Sequence, residues 1–325
     1  DTVCLSRTGA SIGYAVRLGT PMCTNQGFVN WICGPDINPK FLQYILVAEE
    51  RFLKRIGTGA AHPTIYFPEV KAFHVALPPL PEQERIVAIL DEAFAAIATA
   101  TANAEKNLAN ARELFESHSN QLFARLVDSV DEKTLDEVCE NLDRQRVPIT
   151  KAKRIAGSIP YYGASGIVDH VEKGLFDEDL LLVSEDGANL LGRTYPIAFS
   201  ISGPSWVNNH AHVLRFKSMQ FQKYVEYYLN SISLEPFVSG MAQPKLNQGK
   251  LNSIPIPWPK DEQQASEVVE SLIRIESESD ALSNIIKAQL DHLTSLKQSL
   301  LHKAFTGELT ADKKAADRTL SEAGV

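Results

Sequence analysis

Five cations crowd eleven positions of this chain, at Arg144, Arg146, Lys151, Lys153 and Arg154. Such a group neutralises phosphates and releases their counterions, giving an affinity that falls steeply with salt; a solvated loop is the other reading. A Gly-bearing turn follows, with Tyr161 and Tyr162 ahead of Gly163. Backbone can approach a phosphate there while the rings pack or wedge, although tyrosines fill cores equally well. Farther on, Ser184, Glu185, Asp186 and Gly187 are mirrored by Ser6, Arg7, Thr8 and Gly9. Arg suits guanine edges and Glu accepts from cytosine, so two readers of different bases would carry this exchange; unconstrained surface drift would leave the same trace. Asn208, Asn209 and His210, set against Asn25 and Gln26, include amides that pair bidentately with adenine or cap a turn. Gln243 and Lys245, with His62 earlier, lie in Gly-x-x-x-Pro loops as candidate phosphate or base contacts.

Catalytic chemistry is poorly represented. His210 and His212 alternate as two ligands on a strand face would, but no third His, Cys or carboxylate stands at ligand spacing, and buried or turn histidines have the same spelling. A hydrolase built on that pair is the weakest reading. Gly163-Ala-Ser-Gly is not a nucleophile elbow, and no G-x-x-x-x-G-K-[ST] phosphate loop occurs.

The elements that would position these residues come in two copies. Residues 1–10 (DTVCLSRTGA) align with 179–188 (DLLLVSEDGA), each an apolar strand ending in a polar Gly turn. An amphipathic segment, 40–52 (KFLQYILVAEERF), aligns with 221–233 (FQKYVEYYLNSIS), and Pro-rich strand endings close both copies at Leu77-Pro-Pro and Trp258-Pro. A long helix is predicted after each ending. Nothing between Glu82 and Val127 is Pro or Gly, so that helix can run roughly 65–70 Å at 1.5 Å per residue. Counting heptads gives a seam of Leu90, Phe94, Ile97, Leu108, Phe115 and Leu122 on the first helix. On the second it gives Val268, Leu272, Ile275, Leu282, Ile286, Leu293, Leu296 and Leu300. Such a seam needs a cover, and the sibling helix is the economical one. The fold class expected is α+β: two similar mixed α/β domains separated by two long antiparallel helices forming a coiled coil. The boundaries expected are a first domain at 1–81, helices at 82–130 and 261–308, a second domain at 131–260, and a flexible tail at 309–325. Because Asp1 aligns with Asp179, about 45 residues that open the second domain have no counterpart ahead of Asp1, and the first domain is expected to be its C-terminal part only.

The 325 residues are 44% hydrophobic and 22% charged, with a formal net charge of -8. That acid is concentrated in the helices: nine acids against four bases in 82–131, and twelve against seven in 261–325. A surface gripping nucleic acid all round is therefore disfavoured. No stretch approaches the ~20 uninterrupted apolar residues of a membrane span, and no membrane partner is expected. Cys4, Cys23, Cys33 and Cys139 form no CxxC spacing, so a reducing cytoplasm is expected and a zinc site is not.

Domain then long helix, twice over, with the ending 299–309 (SLLHKAFTGEL), resembles the specificity subunit of type I restriction–modification systems. Residues 135–139 (LDEVC), 146–151 (RVPITK), 160–168 (PYYGASGIV), 182–188 (LVSEDGA) and 208–213 (NNHAHV) carry the same likeness. Each motif is weak alone; order and duplication give the match its weight. The resemblance implies two target-recognition domains that each read half of a split sequence on double-stranded DNA, held apart by the paired helices. It also implies docking of two methyltransferase subunits and of restriction subunits. The Asn/Asp-Pro-Pro-Tyr/Phe signature of adenine methyltransferases is missing, so methyl transfer is assigned to a partner, which would bind S-adenosylmethionine. No cofactor, metal or catalytic residue is expected here. The runner-up is a coiled-coil adaptor whose globular domains bind protein or carbohydrate.

Overall fold

The structure, a computed structural model, describes residues 1–240 and 243–311; the expected tail lies outside the described residues from 312 onward. Two compact units emerge. The first joins Asp1–Leu108 to the chain from Ile285 on, and the second is Ala109–Asn284.

In the first unit β1 (Val3–Ser6) is the centre of an antiparallel sheet, flanked by β2 (Ala15–Arg17) and β3 (Phe28–Trp31). Three helices follow: α1 (Pro39–Ala48), α2 (Glu50–Ile56) and α3 (Phe67–Ala72). The start of α1 is dictated locally, since Pro39 sits at its first turn and Asn38 accepts from the amides of Lys40 and Phe41. Val3, Leu5, Ile12, Val29, Leu46, Leu53 and Ile65 close one core. A second core joins Phe41 and Ile45 of α1 to Ile86, Val87 and Leu90 of α4 (Leu80–Val127) and to Leu301 and Ala304 of α9 (Glu262–Thr306). Gln83 explains the acidic, Gln-bearing start of α4. Fully buried, it accepts from Asn38 N at 2.9 Å and donates to the carbonyls of Asp36 and Pro78. The matching Gln264 of α9 accepts from Lys260 N at 2.8 Å. Part of α4 is long and apolar enough to cross a membrane by length and composition, contrary to the expectation from uninterrupted apolar runs. Its Asp91 is held by Lys40 at 2.7 Å and Tyr44 at 2.5 Å.

The second unit opens with β4 (Glu132–Thr134), α5 (Leu135–Val138) and β5 (Glu140–Asn141). Then come β6 (Ala156–Gly163), β7 (Gly166–Val171), β8 (Phe176–Asp177), β9 (Leu180–Ser184), α6 (Asn189–Gly192), β10 (Ala198–Ile201), β11 (Pro204–Val207) and β12 (Ala211–Arg215). It closes with α7 (Met219–Ser231), α8 (Gln248–Asn252) and β13 (Pro255–Pro257). The strands form two four-stranded sheets, β10-β9-β12-β5 and β7-β6-β11-β8, and β13 pairs with β4. Every residue of β9 is buried, as its continuous apolar text requires of a central strand covered on both faces. Leu181 and Val183 face a core shared with α7 and the helix ends Phe123, Leu126, Val268 and Leu272, whereas Leu180 and Leu182 face the other sheet.

Within each unit the long helices pair antiparallel. In the first, Leu90 shares a cluster with Leu301 and Ala304, and four residues later Phe94 lies 5.2 Å beneath Lys297. In the second, Ser279 donates to Ala111 O at 2.6 Å while Phe123 and Leu126 meet Ala265 and Val268. Of the heptad residues, Leu90, Val268, Leu272 and Ile286 are buried, and Phe94, Ile97, Leu108, Phe115, Leu122, Ile275, Leu293 and Leu300 are half-buried. Leu282 and Leu296 are corrections: they are 43% and 47% exposed. A strict seven-residue count drifts by about 20° per heptad on a helix of 3.6 residues per turn. Ser283, 6% exposed, takes the inward position one residue beyond Leu282.

Candidate nucleic-acid interface

Three backbone segments meet at the end of β1 and again, by the same connections, at the end of β9. In the first unit Arg7 N donates to Gly27 O at 2.9 Å, Ile65 N to Arg7 O at 2.8 Å, and Gly9 N to Pro63 O at 3.0 Å. In the second Glu185 N donates to His210 O at 2.9 Å, Leu246 N to Glu185 O at 2.8 Å, and Gly187 N to Pro244 O at 3.0 Å. The Gly-x-x-x-Pro loops close through paired bridges, Thr58 with Thr64 and Ser239 with Lys245. Gly59 and Gly240 take φ of +112° and +84°, and a Cβ there would sit 2.8 Å from His62 O and 2.6 Å from Gln243 O. Only glycine fits both the left-handed backbone and that close carbonyl.

The frame is constant and its side chains are not. Arg7 stands where Glu185 does, Thr8 where Asp186 does, Gln26 where Asn209 does, His62 where Gln243 does, and Thr64 where Lys245 does. Gln26, His62, Asn209 and Gln243 are exposed, and their side chains make no hydrogen bond among the described residues. Asn25 is spent on its turn, accepting from Gly27 N at 2.9 Å. Arg7 donates to Gln26 O at 2.9 Å and lies 5.1 Å from the Phe67 ring, while Thr8 and Thr64 share a hydroxyl contact of 3.0 Å. Thr64 is a junction member that residue chemistry overlooked; the 181-residue offset that pairs it with Lys245 is the signal that locates it.

Behind the second junction lies a buried ionic network. His212 is fully buried; its Nε2 faces Leu246 O at 2.7 Å and its Nδ1 faces Asp143 Oδ2 at 2.5 Å. A carbonyl only accepts, so Nε2 donates. Asp143 Oδ1 accepts from Val213 N at 2.9 Å. Burial pushes the Asp143 carboxyl up, yet the His212 hydrogen bond and charge, Val213 N and Arg146 outweigh it and hold it below the usual carboxylate range. Glu185 also lies low: burial opposes ionisation, while Arg146, His212 and Lys245 favour it more. Arg146 reaches Glu185 Oε2 and Ala211 O, both at 2.7 Å, and Lys245 reaches Glu185 Oε1 at 3.2 Å.

This network changes the reading of several candidates. Arg146 is an internal tie with a side chain 12% exposed, not a phosphate contact. Tyr161 is core: it is 1% exposed, its hydroxyl meets Ile149, and Arg154 stacks 4.1 Å from its ring while pairing with Asp169 at 2.9 Å. Ser184 is buried and donates to Ala164 O at 2.5 Å, and Asn208 is buried as the acceptor of His210 N at 2.8 Å. In each case a turn returns the polar side chain to backbone groups that burial would otherwise orphan. Tyr162 is half-buried, 6.1 Å from Phe199. His210 does not share a face with His212: it lies in the turn before β12, half-exposed, with Nδ1 2.8 Å from Asp186. Arg144, Lys151 and Lys153 remain exposed without an ion pair among the described residues.

The backbone frame is thus duplicated, and its exposed side chains differ between the two copies. The family model for the type I restriction modification DNA specificity domain matches residues 1–108 and 128–291, and the chain belongs to that family. Over 130 residues it is 38% identical to the Haemophilus influenzae protein named as type I restriction enzyme specificity subunit S.HindORF215P, covering 40% of this chain and only 33% of that one. Over 276 residues it is 25% identical to the type I restriction enzyme EcoprrI specificity subunit of Escherichia coli, covering 80% and 68% of the two chains. A solved chain from work on the complex assembly and conformational transition of the type I R-M system shares the fold. Its TM-score is 0.76 at 17% identity, over 95% of this chain and 82% of that one.

Proposed function

We propose that this chain is a non-catalytic, cytoplasmic DNA-reading subunit recognising a bipartite target, each unit reading one half through its three-segment junction. The domain division expected from the repeat, with readers at 1–81 and 131–260 joined by helices at 82–130 and 261–308, belongs to this reading. Arg7, Thr8, Gln26 and His62 present the first set of contacts; Asn209, His210, Gln243 and Lys245 present the second, with Glu185 held behind them by Arg146 and Lys245. Arg144, Lys151 and Lys153 engage phosphates, which fix register without specifying bases. The paired helices set the spacing between half-sites, so two modest modules add their free energies on one duplex. Apolar side chains left exposed on those helices, among them Leu114 at 54% and Ile285 at 66%, offer surface to two methyltransferase subunits and through them to restriction subunits. S-adenosylmethionine chemistry resides in the partners.

The observation that carries this reading is the identical backbone junction bearing different polar tips in the two units. Its test is to express the chain with its methyltransferase partner and map methylated sites. Gln243→Ala with Lys245→Ala should relax one half of the target and leave the other intact, and Arg7→Ala with His62→Ala should do the reverse. Methylation without sequence preference, or loss spread evenly over both halves, rules the reading out.

A further inference from the structure

Strands β6 and β7 form a hairpin whose two-residue turn, Ala164 and Ser165, is fastened to the second junction. Ser184 Oγ donates to Ala164 O at 2.5 Å, and Asn208 N donates to Tyr162 O at 3.0 Å. Ser184 ends β9 and leads into Glu185, while Asn208 follows β11 and leads into Asn209 and His210. The tip of the hairpin is therefore carried on the same backbone as the side chains that differ between the two copies.

The hairpin is irregular near that tip. Tyr161 pairs with Asp169 and Tyr162 with Ile167, so Val168 is an extra residue with no partner across the ladder. Such a bulge bends its strand and re-aims a side chain. Gly163 makes room for it: a Cβ there would sit 2.9 Å from Val168 Cγ1 and 3.4 Å from Asn208 Nδ2. Val168 and the junction's Asn208 thus both reach the bare side of Gly163. Ile167 and Val168 are 53% and 57% exposed. A single exposed apolar residue is ordinary, but these are adjacent, β-branched and set at a bulge beside the junction. The bulge also spoils the ladder that a further strand would need at the edge strand β7, so sheet extension does not account for the pair.

The flank of this apolar pair is cationic. Arg154 pairs with Asp169, the residue after Val168, at 2.9 Å. The Arg154 hydrogen bond, His170 N and the charge of Lys151 hold that carboxyl below its usual range. The carboxylate beside the pair is thus neutralised, and Lys151 and Lys153 leave the surplus charge positive. An apolar tip with a basic flank fits a DNA duplex. The major groove admits a two-stranded β-ribbon, and the apolar group it displays is the 5-methyl of thymine. Asn and Gln tips address adenine on its N6 and N7, and an apolar neighbour at the same base pair addresses the methyl of its thymine. We propose that the β6–β7 hairpin enters the major groove and that Ile167 and Val168 read thymine through its methyl group. The inference rests on the function proposed above and adds an apolar determinant to its polar ones.

Removing single methyl groups from the DNA tests it. Once the target of the chain with its methyltransferase partner is mapped, each thymine is replaced in turn by deoxyuridine, which lacks only the methyl. Duplex affinity is then measured for the parent complex and for the complex carrying Ile167→Ser with Val168→Ser. In the half-site that Gln243→Ala with Lys245→Ala relaxes, at least one replacement should weaken the parent ~4-fold, the worth of about one methyl group taken out of water. The same replacement should leave the double variant unaffected, and the variant should keep the parent's salt dependence because its cations are intact. Indifference of the parent to every replacement, equal losses in parent and variant, or a half-site without A·T pairs overturns the proposal while the function proposed above stands. A lowered salt slope in the variant places the pair on phosphates and overturns it too. A parent that binds all duplexes alike overturns that function and this proposal with it.

Discussion

Asp143 separates two accounts of the ionic network, because alanine and asparagine replace it in physically different ways. Asp143→Ala removes the carboxylate that His212 Nδ1 and Val213 N both use and leaves Arg146 with Glu185 as its one ion-pair partner among the described residues. Breaking a buried ionic pair from one side costs about 3–5 kcal/mol. Asp143→Asn keeps an acceptor for Val213 N, and its amide can donate to Nδ1 once His212 carries its single proton on Nε2, facing Leu246 O. The network stays hydrogen-bonded without charge, so the loss should be about 1 kcal/mol. At about 2–4 °C per kcal/mol for a unit of this size, Ala should lower the melting temperature by roughly 6–20 °C and Asn by a few degrees. Trp206 and Trp258 lie in the second unit, so a Trp31→Phe background makes fluorescence a reporter of that unit alone. The pH dependence has a definite sign. The folded carboxyls of Asp143 and Glu185 lie below their ordinary values, so their stabilisation is fully present above about pH 4 and is lost as pH falls through the folded values. The Asn variant should lose less stability between about pH 6 and pH 3 than the parent. Equal losses for Ala and Asn, or a shift under about 2 °C for Ala, would refute the network as described.

Three further outcomes are expected. Ile286→Asp should destabilise the chain by about 3 kcal/mol or more by burying an unpaired charge, while Leu282→Asp should stay within about 0.5 kcal/mol, both read from thermal melts. Lys151→Ala with Lys153→Ala should weaken binding to all duplexes and reduce the slope of log affinity against log salt by roughly two; Arg146→Ala should act mainly through the melting temperature. Gly240→Ala strains a left-handed backbone and drives Cβ into Gln243 O, costing about 1–2 kcal/mol, and should blur recognition of one half-site in methylation mapping while sparing the other.

What could be read from residue order alone follows the range of the forces involved. Both long helices were legible because 3.6-residue periodicity and the absence of Pro and Gly are local, and the repeat was legible because it is textual. The failures at Leu282 and Leu296 come from treating a straight helix as a perfect heptad. Arg146 was legible as a charge but not as a spent one, because its partner Glu185 lies 39 residues away and only the sheet brings them together. Tyr161, Ser184 and Asn208 were read as tips for the same reason: strand direction decides which turn residues fold back, and spacing does not encode it. The His212–Asp143 pair had no textual signature, being 69 residues apart.

These errors share a direction that bears on how, under the function proposed above, the chain could change its target. Residues mistaken for tips, Arg146, Ser184 and Asn208 among them, bond to backbone and so hold the junction in place. Those left exposed, Gln26, His62, Asn209 and Gln243, touch nothing whose loss would unfold it. Exchanging an exposed tip therefore costs little stability, because surface substitutions of this kind fall within about 0.5 kcal/mol. Exchanging a tie costs a buried hydrogen bond. A frame whose hydrogen bonds are chiefly backbone to backbone tolerates exchange of its exposed side chains, so under the function proposed above the target can change without passing through an unfolded intermediate. The two units of this one chain, with Gln26 against Asn209 and His62 against Gln243 on the same backbone geometry, carry a pair of such exchanges.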